Sequence, residues 1–340
     1  MNKPIRFCCI CCSLICLFFL CSCTSAQPIS KSGFYLNTFV TVTLYDSKDE
    51  TLLNDCMELC SYYEQIFSRT SEESELYLLN SGSLNDGEGC ATVSDALYEL
   101  ISLGIAYGEV SGGALDITVA PVSSLWDFSS AEGQHTVPSK EAVQQGLLFV
   151  DYRKAELLTG NRIRLPQGMS LDLGAIAKGY IADRIAEYLT EQGVTSAIIN
   201  LGGNILCMGS KSQKEPFQIG IQQPFQDRNE TAAIMKLSDV SVVTSGIYER
   251  CFTSEDGTFY HHILDPTTGY PCDNELLSVT IIAKNSATAD ALSTACFCLG
   301  LEEGMQLLDT LPDVYGVFIT EDRELHYSAG FQDVIEVVKQ

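Results

Sequence analysis

The spacing of hydrophobic positions divides most of the chain into helical and extended segments. Between residues 50 and 67 apolar side chains recur every three or four positions, which predicts a helix. The same spacing predicts further helices at 93–110, from near Gly174 to about Gln192, at 286–299 and at 301–309. Runs rich in apolar and β-branched residues predict strands at 34–45, 196–207, 217–222, 232–237, 241–244, 259–264, 276–283, 314–319 and 324–327.

The order of these segments indicates the fold class. Strands in consecutive runs, with helices before and after, favour an α+β fold over a doubly wound parallel sheet. From Gly33 onward no linker and no long low-complexity tract interrupts the pattern. We therefore predict one large domain at 33–340, built on a mainly antiparallel or mixed sheet with flanking helices.

The first 23 residues have the character of an export signal. A basic start precedes an apolar run at 7–20 that is short for a transmembrane helix. The run ends in Leu20-Cys21-Ser22-Cys23, which resembles a bacterial lipobox. An ordinary cleaved signal and an uncleaved anchor are the alternatives.

This pattern predicts a lipoprotein. We expect a signal peptide at 1–22, lipidation of Cys23 with Cys21 as the alternative acceptor, and a small, polar tether over 23–32. The protein would then be extracytoplasmic and held on a bacterial membrane by its lipid anchor.

Composition narrows the possible partners. Of 340 residues 46% are hydrophobic, which excludes intrinsic disorder, and 44 acidic against 20 basic residues give a formal net charge of -24. A surface of that sign repels nucleic acid and anionic lipid, so we expect no nucleic-acid partner. A phosphorylated substrate would need local help, most simply from a bound divalent cation.

The cysteines do not form a recognisable metal motif. Seven of the fifteen lie in the first 23 residues. After them there is no Cys-x-x-Cys and no Cys/His cluster with zinc-finger spacing. We interpret most of the eight remaining thiols as small buried hydrophobes.

Common nucleotide-binding and hydrolase motifs are absent from the chain. It contains no Gly-x-x-x-x-Gly-Lys-Ser/Thr, no Gly-x-Gly-x-x-Gly after a strand and no Gly-x-Ser-x-Gly. Any nucleotide must therefore bind on another scaffold.

Polar clusters at the ends of predicted elements are the first candidates for chemistry. Asp116 follows a helix, and Asp172 and Lys178 flank the start of the helix near Gly174. A lysine in the first turn opposes the helix dipole, which indicates an anionic ligand there. Each aspartate could instead cap a turn, and the lysine could simply be solvated.

Two later clusters suggest a base and a cation site. His261 and His262 are adjacent, and because neighbouring side chains on a strand face opposite sides, at most one points into a site. A neutral imidazole there is a plausible general base. On the predicted helix Asp290, Ser293 and Thr294 share one face, which suits Mg²⁺. The alternative is a Ser or Thr hydroxyl bonded to its own helix.

Taken in order, the clusters resemble the ApbE family of FAD:protein FMN transferases. The resemblance runs from about Asn37 to past Thr294. It is carried by Asp116-Ile-Thr-Val-Ala-Pro with Leu-Trp-Asp-Phe, Asp-Leu-Gly-Ala-Ile-Ala-Lys-Gly, Asn-Leu-Gly-Gly, Thr-Ser-Gly-x-Tyr-Glu-Arg, His-Ile-Leu-Asp-Pro-x-Thr-Gly and Ala-Asp-Ala-x-x-Thr. It implies a T-fold-like ApbE fold and Mg²⁺-dependent transfer of the FMN moiety of FAD to a Thr or Ser hydroxyl of an acceptor protein, with AMP as the other product.

The resemblance also implies roles for single residues. His262 would be the base for the acceptor hydroxyl. Mg²⁺ would be held by Asp290 and Thr294, with Ser293 beside them and the main-chain carbonyl of Ala175 opposite. The residues expected to contact FAD are Leu36, Thr70, Ala114, Leu115, Asp116, Asp172, Lys178 and Leu264.

The chain departs from the family pattern at three of these places. Near Thr70 it lacks an aromatic residue that family members often carry. Leu36-Asn37-Thr38 stands where the family often has Met-Gly-Thr, and Ala175 replaces one Gly of a Gly-Gly-Ile. The change at Ala175 is tolerable if only its carbonyl is used.

Other functions and partners follow from the same residues. An FAD pyrophosphatase would use water in place of the acceptor hydroxyl, and a non-enzymatic FAD-binding lipoprotein would need less of the set. For the transferase we expect an exported flavoprotein acceptor, such as a subunit of a membrane redox pump.

Overall fold

The computed structural model describes residues 27–128, 135–212, 215–227 and 229–339. The predicted signal peptide, Cys23 and the first part of the tether lie outside the described residues. Within those ranges no helix is both long and apolar enough to cross a membrane.

The described chain alternates helices and strands. The strands are β1 (Ile29–Tyr35), β2 (Thr38–Leu44), β3 (Ala91–Thr92), β4 (Glu156–Leu158), β5 (Arg162–Arg164), β6 (Ala197–Leu201), β7 (Asn204–Met208), β8 (Phe217–Gln222), β9 (Thr231–Leu237), β10 (Val240–Gly246), β11 (Cys251–Thr253), β12 (Phe259–His261), β13 (Leu276–Ala283), β14 (Tyr315–Thr320), β15 (Leu325–Tyr327) and β16 (Glu336–Lys339). The helices are α1 (Glu50–Phe67), α2 (Glu75–Asn80), α3 (Asp95–Val110), α4 (Ala120–Ser123), α5 (Lys140–Leu147), α6 (Ala177–Glu191), α7 (Ser286–Asp309) and α8 (Phe331–Val334), with a 3₁₀ turn at Tyr152–Lys154.

An eight-stranded sheet forms the centre of the molecule. Its order is β1-β2-β6-β7-β10-β13-β14-β15, and all neighbouring strands are antiparallel. Smaller sheets join β8, β9 and β16, then β3, β4 and β5, and finally β11 with β12. The prediction of an α+β fold with a mainly antiparallel sheet is confirmed.

Both faces of the main sheet are covered, which is why β13 is buried along its whole length. Because side chains alternate along a strand, Val279 and Ile281 pack in the cluster that contains α7, whereas Ile282 packs in the cluster that contains β8 and β9. Helices α1, α3 and α6 cover β2 and β6. Helix α7 therefore lies directly on the central strands.

The predicted strand at 34–45 is a hairpin. Leu36 and Asn37 form its turn with φ of 53° and 56°, the left-handed conformation that a two-residue hairpin turn requires. The first strand starts at Ile29, so residues 29–32, assigned to the tether, belong to the sheet instead. A hydrophobic pattern does not register so short a turn, and the exposed edge strand carries too few apolar residues to stand out.

Other elements follow the predictions more closely. The helix at 50–67 and the strands at 217–222 and 276–283 are confirmed in full. The run at 196–207 is divided into two strands by a turn at Gly202-Gly203. The break predicted between two C-terminal helices is present within α7 at Gly300, where φ is 81°.

Candidate active site

Helices α6 and α7, far apart in sequence, cross closely at the centre of the site. A Cβ on Gly179 of α6 would lie 2.3 Å from the carbonyl oxygen of Ser286 in the first turn of α7. The carboxylate of Asp183 accepts hydrogen bonds from the backbone N–H groups of Ser286 and Ala287 at 2.8 and 2.9 Å. The glycine permits the close approach, and the aspartate of one helix caps the other.

The crossing brings the buried Asp290 of α7 to the first turn of α6. Its Oδ2 accepts the Gly179 N–H at 2.9 Å, and Lys178 Nζ lies 3.3 Å from Oδ1 and 3.4 Å from Oδ2. The same ammonium donates to the Gly174 carbonyl at 3.1 Å. Since 28% of the Lys178 side chain is exposed, this cation can leave its partners for a ligand.

Three hydroxyl groups extend this cluster. Ser245 Oγ, on β10, lies 2.8 Å from Ser293 Oγ and 3.2 Å from Thr294 Oγ1. Ser293 Oγ also donates to the main-chain carbonyl of Asp290 at 2.9 Å. The Ser293 proton is thus bonded to its own helix, the alternative that the sequence left open, while the oxygen lone pairs of Thr294 complete a polar face beside Asp290.

These oxygens are of the kind that Mg²⁺ accepts: a carboxylate, hydroxyls and main-chain carbonyls. Two of these groups already stabilise a cation, because the Lys178 ammonium lies between the Gly174 carbonyl and the Asp290 carboxylate. No three Asp, Glu, His or Cys side chains group as metal ligands in the described part of the chain. A metal bound here would therefore need water and phosphate oxygens as well, and the Mg²⁺ site stays a prediction.

Asp172 organises the loop that leads into α6. Its Oδ1 accepts the Gly174 N–H at 3.0 Å, its Oδ2 accepts the Ser123 hydroxyl at 2.9 Å, and Arg69 Nε lies 3.2 Å from Oδ2. Its own N–H donates to the carbonyl of Ile117 at 2.7 Å. One carboxylate therefore joins the segments around Arg69, Ser123 and Gly174.

Leu36 and Thr70 are both connected to the C-terminal end of α1. The Leu36 N–H donates to Glu64 Oε1 at 2.7 Å. Thr70 is exposed and follows Arg69, which forms the ion pair with Asp172. Both stay predicted flavin contacts, and Arg69 adds a positive charge that the sequence analysis did not assign to the site.

Asp116 is committed to the fold. Its Oδ1 accepts the N–H and hydroxyl of Thr118 at 2.7 and 2.6 Å, and its Oδ2 accepts the Tyr152 N–H at 3.0 Å. Burial raises the pKa of this carboxyl above its usual value. The side chain caps a turn, so a contact of 114–116 with FAD would have to come from the main chain or from Ala114, which is half-buried next to the buried Leu115.

The two adjacent histidines have different surroundings. The buried His261 donates from Nε2 to the Cys272 carbonyl at 3.1 Å, and its Nδ1 accepts the Ile263 N–H at 3.3 Å. Both nitrogens are satisfied, and burial lowers its pKa to about 4. His261 is therefore a neutral structural residue.

His262 is half-buried, and one of its ring nitrogens can accept a proton. Because a carbonyl only accepts, its Nδ1 must donate to the Arg250 carbonyl at 3.2 Å, which leaves the Nε2 lone pair free. Burial, together with the charges of Arg250 and Lys178, lowers its pKa to about 3. The imidazole is thus neutral at pH 7, and Lys178 is near enough for its charge to act on it.

Leu264 lies on the loop that follows His262. The residue is buried and its carbonyl oxygen is 3.6 Å from the thiol of Cys298 on α7. An isolated bridge to Pro271 closes the loop. The predicted contact at Leu264 and the helix that carries Asp290 are therefore neighbours.

Comparisons with known proteins show the family of the chain. The model of the ApbE family matches residues 36–319. An FAD:protein FMN transferase of Treponema pallidum is 34% identical over 331 residues, covering 92% of this chain and 90% of the relative. One of Klebsiella pneumoniae is 36% identical over 304 residues, covering 88% and 92%. The chain belongs to the ApbE family.

Solved ApbE structures have the same fold. The ApbE protein of Thermotoga maritima matches with a TM-score of 0.80 and 32% identity, covering 90% of this chain and 98% of that one. The ApbE flavin transferase of Vibrio cholerae matches with a TM-score of 0.79 and 26% identity, covering 90% and 99%.

In this ApbE chain the fold brings together some of the residues that the sequence singled out. Lys178, Asp290, Ser293 and Thr294 form one cluster, and the loop of Asp172, Gly174 and Ala175 borders it. Sequence reasoning missed the roles of Arg69, Ser245 and Asp183. The signal for Ser245 was its place in Thr-Ser-Gly, whereas Arg69 and Asp183 have no local signal because their partners are about one hundred residues away.

Proposed function

We propose that this chain transfers the FMN moiety of FAD to a Thr or Ser hydroxyl of an acceptor protein, with Mg²⁺ as cofactor and AMP as the second product. The observation that carries the proposal is the cluster of Lys178 and Asp290 beside the hydroxyl groups of α7 and β10, with the neutral His262 close enough for the Lys178 charge to act on it. Membership of a family whose relatives are named for this reaction supports it.

The site offers positive charge in a strongly acidic protein. Helix α6 begins at Ala177, its dipole favours an anion near the first turn, and Lys178 and Arg69 add positive charge there. A pyrophosphate bound there would draw Lys178 away from Asp290. The freed carboxylate, together with Thr294, Ser293 and the Ala175 carbonyl, would then hold Mg²⁺, which would neutralise charge on the phosphates.

His262 would accept the proton of the acceptor hydroxyl. The hydroxyl oxygen forms a bond to the FMN-side phosphorus, the bond from that phosphorus to the bridging oxygen breaks, and AMP carries that oxygen away. The proton passes to Nε2, whose lone pair the Arg250 carbonyl leaves free by binding Nδ1. A neutral imidazole at pH 7 is ready for this step without prior deprotonation.

The transfer is tested directly by mass. The full chain, purified in detergent, is incubated with FAD, Mg²⁺ and an FMN-binding acceptor domain, and the intact mass of the acceptor is measured with and without EDTA. An adduct of FMN that disappears with EDTA is the expected result. Free FMN and AMP without adduct would favour the pyrophosphatase, and intact bound FAD would favour a carrier.

The role of His262 is tested by substitution. His262→Ala should still bind FAD but lose transfer by about 100-fold or more, the usual range for removal of a general base. His326→Ala, on β15, is the matched control and should transfer normally. Undiminished transfer by His262→Ala would contradict the assignment.

We also propose that the enzyme is a lipid-anchored extracytoplasmic protein and that its acceptor is an exported flavoprotein, such as a subunit of a membrane redox pump. The sequence at the N-terminus supports the anchor. Labelled palmitate should be incorporated by the wild type and by Cys21→Ala but not by Cys23→Ala. Labelling that persists in Cys23→Ala and vanishes in Cys21→Ala would move the lipid to the other cysteine.

A further inference from the structure

Two thiols meet beside the candidate active site. Cys272, which follows the loop of Leu264, has its Sγ 3.1 Å from the Sγ of Cys298 on α7, although the two residues are 26 positions apart in the chain. Both are present as free thiols. This distance is shorter than ordinary contact between sulfur atoms and exceeds a covalent S–S bond of about 2.05 Å by only about 1 Å.

The backbones around both thiols are already clamped together. Asn274 Nδ2 donates to the Phe297 carbonyl at 2.7 Å, and the thiol of Cys298 contacts the Leu264 carbonyl. The Cys272 N–H donates to the Ile263 carbonyl at 2.9 Å. Bond formation would therefore need a small movement of two side chains rather than a movement of the loop or the helix.

We propose that Cys272 and Cys298 are a modification site, joined by a disulfide in the exported protein. Each thiol loses one proton and one electron as the S–S bond forms. A thiol–disulfide oxidant takes up both electrons and both protons and is itself reduced to thiols. The hydrogen bond to Cys272 and burial raise the pKa of Cys298, so few thiolates form unaided and a catalysed exchange is the suitable route.

The cross-link would lie at a defined position relative to Asp290 and Thr294 of the candidate site. Asp290, Thr294 and Cys298 are spaced at i, i+4 and i+8 on α7 and share one face of the helix. At 1.5 Å per residue Cys298 lies about 12 Å along the axis from Asp290. The disulfide would attach the segment that carries His262 and Leu264 to the helix that carries Asp290, and this consequence rests on the proposed function.

The test maps thiols in the full chain, purified in detergent and exposed either to oxidised glutathione or to a phosphine reductant. Free thiols are blocked with N-ethylmaleimide after denaturation, and the digested protein is analysed by mass spectrometry. We expect a linked peptide pair containing Cys272 and Cys298 in the oxidised wild type. Cys272→Ser and Cys298→Ser should lack it, and Cys251→Ser, a half-buried thiol on β11, should retain it.

Thermal unfolding gives a second measurement. Closing a loop of 26 residues should raise the Tm of the oxidised protein by about 5 °C over the reduced one, in the wild type and in Cys251→Ser only. Complete blocking or glutathionylation of both cysteines after oxidation, without a linked peptide, would overturn the proposal.

The transfer assay separates this inference from the proposed function. The linked peptide is measured without FAD or acceptor, so its presence in a protein that transfers nothing would leave the inference standing and refute only the function. Where transfer occurs, reduction should slow it in the wild type and leave Cys272→Ser unchanged. A wild-type rate that is insensitive to the reductant would refute the restraint of the His262 segment.

Discussion

Replacement of Asp290 by asparagine separates the chemistry of the site from the stability of the fold. The variant keeps the size of the side chain and an oxygen that can accept the Gly179 N–H, which is 2.9 Å from Oδ2 in the wild type. It removes the negative charge that faces Lys178 at 3.3 Å.

The cost to folding can be worked out from the ion pair. Two unit charges at this distance attract by about 5 kcal/mol at an effective dielectric constant of about 20. Loss of a partner in a fully buried pair costs about 3–5 kcal/mol. Lys178 is 28% exposed and keeps its bond to Gly174, so we expect about 2 kcal/mol, or a fall in Tm of about 3 °C.

The effect on transfer should be much larger. Removing the carboxylate takes away the anionic ligand for Mg²⁺ and the charge that positions Lys178, so transfer should fall by about 100-fold or more. The assay is the rate of FMN adduct formation on the acceptor, measured over a series of Mg²⁺ concentrations, with urea unfolding of the same samples.

Asp183→Ala is the matched control for stability. It leaves the N–H groups of Ser286 and Ala287 without their acceptor, which should also cost about 2 kcal/mol. The pair of Asp290 with Lys178 stays intact, so transfer at low temperature should remain near normal. If Asp290→Asn transfers FMN within about three-fold of Asp183→Ala, the assignment of Asp290 to the reaction is refuted.

Two further predictions concern stability. His261 has its pKa lowered from 6.5 to about 4, so below pH 6.5 only the unfolded chain takes up its proton, and the free energy of unfolding should fall by about 2 kcal/mol from pH 7 to pH 5 through this residue. His261→Gln should reduce that pH dependence in urea unfolding; an equal slope in both proteins would show that His261 titrates normally. Gly179→Ala puts a Cβ 2.3 Å from the Ser286 carbonyl and should cost about 1–3 kcal/mol, measured the same way, despite the better helix propensity of alanine. Gly87→Ala, at a site where a Cβ meets nothing within 4 Å, is its control, and equal stability of the two variants would refute the close crossing.

The sequence alone determined those helices, strands and breaks that depend only on neighbouring residues in the chain. The apolar spacing at 50–67 predicts α1 to the residue, and the run rich in apolar and β-branched residues at 276–283 predicts β13 with its observed bounds. Gly300 marked the interruption of α7 because a residue with φ of 81° favours glycine. The order of the short motifs also sufficed to recognise the family, since it depends on residue types and spacing only.

Only the tertiary structure decided which polar residues do what. Asp116, Asp172, Asp183 and Asp290 are all aspartates in or next to helices and turns. Their roles differ because of partners across space, as in the contact of Asp290 with Gly179, 111 positions away in the chain. Local sequence holds no record of such a partner, so it left both capping and ligand binding open for Asp116 and Asp172.

The same reason explains the histidines and the thiols. His261 and His262 are adjacent residues of the same type. In His261 a carbonyl binds Nε2 and a backbone N–H binds Nδ1, so both ring nitrogens are occupied. In His262 a carbonyl binds Nδ1, which leaves the lone pair of Nε2 free. Cys272 and Cys298 read separately as small buried hydrophobes, and only the packing of α7 on the loop of Leu264 brings the two sulfur atoms together. The fold decides any chemistry that needs two distant side chains in contact. The hydrophobic pattern of the chain specifies which residues are buried and which secondary structure they form, but not which residue each side chain contacts.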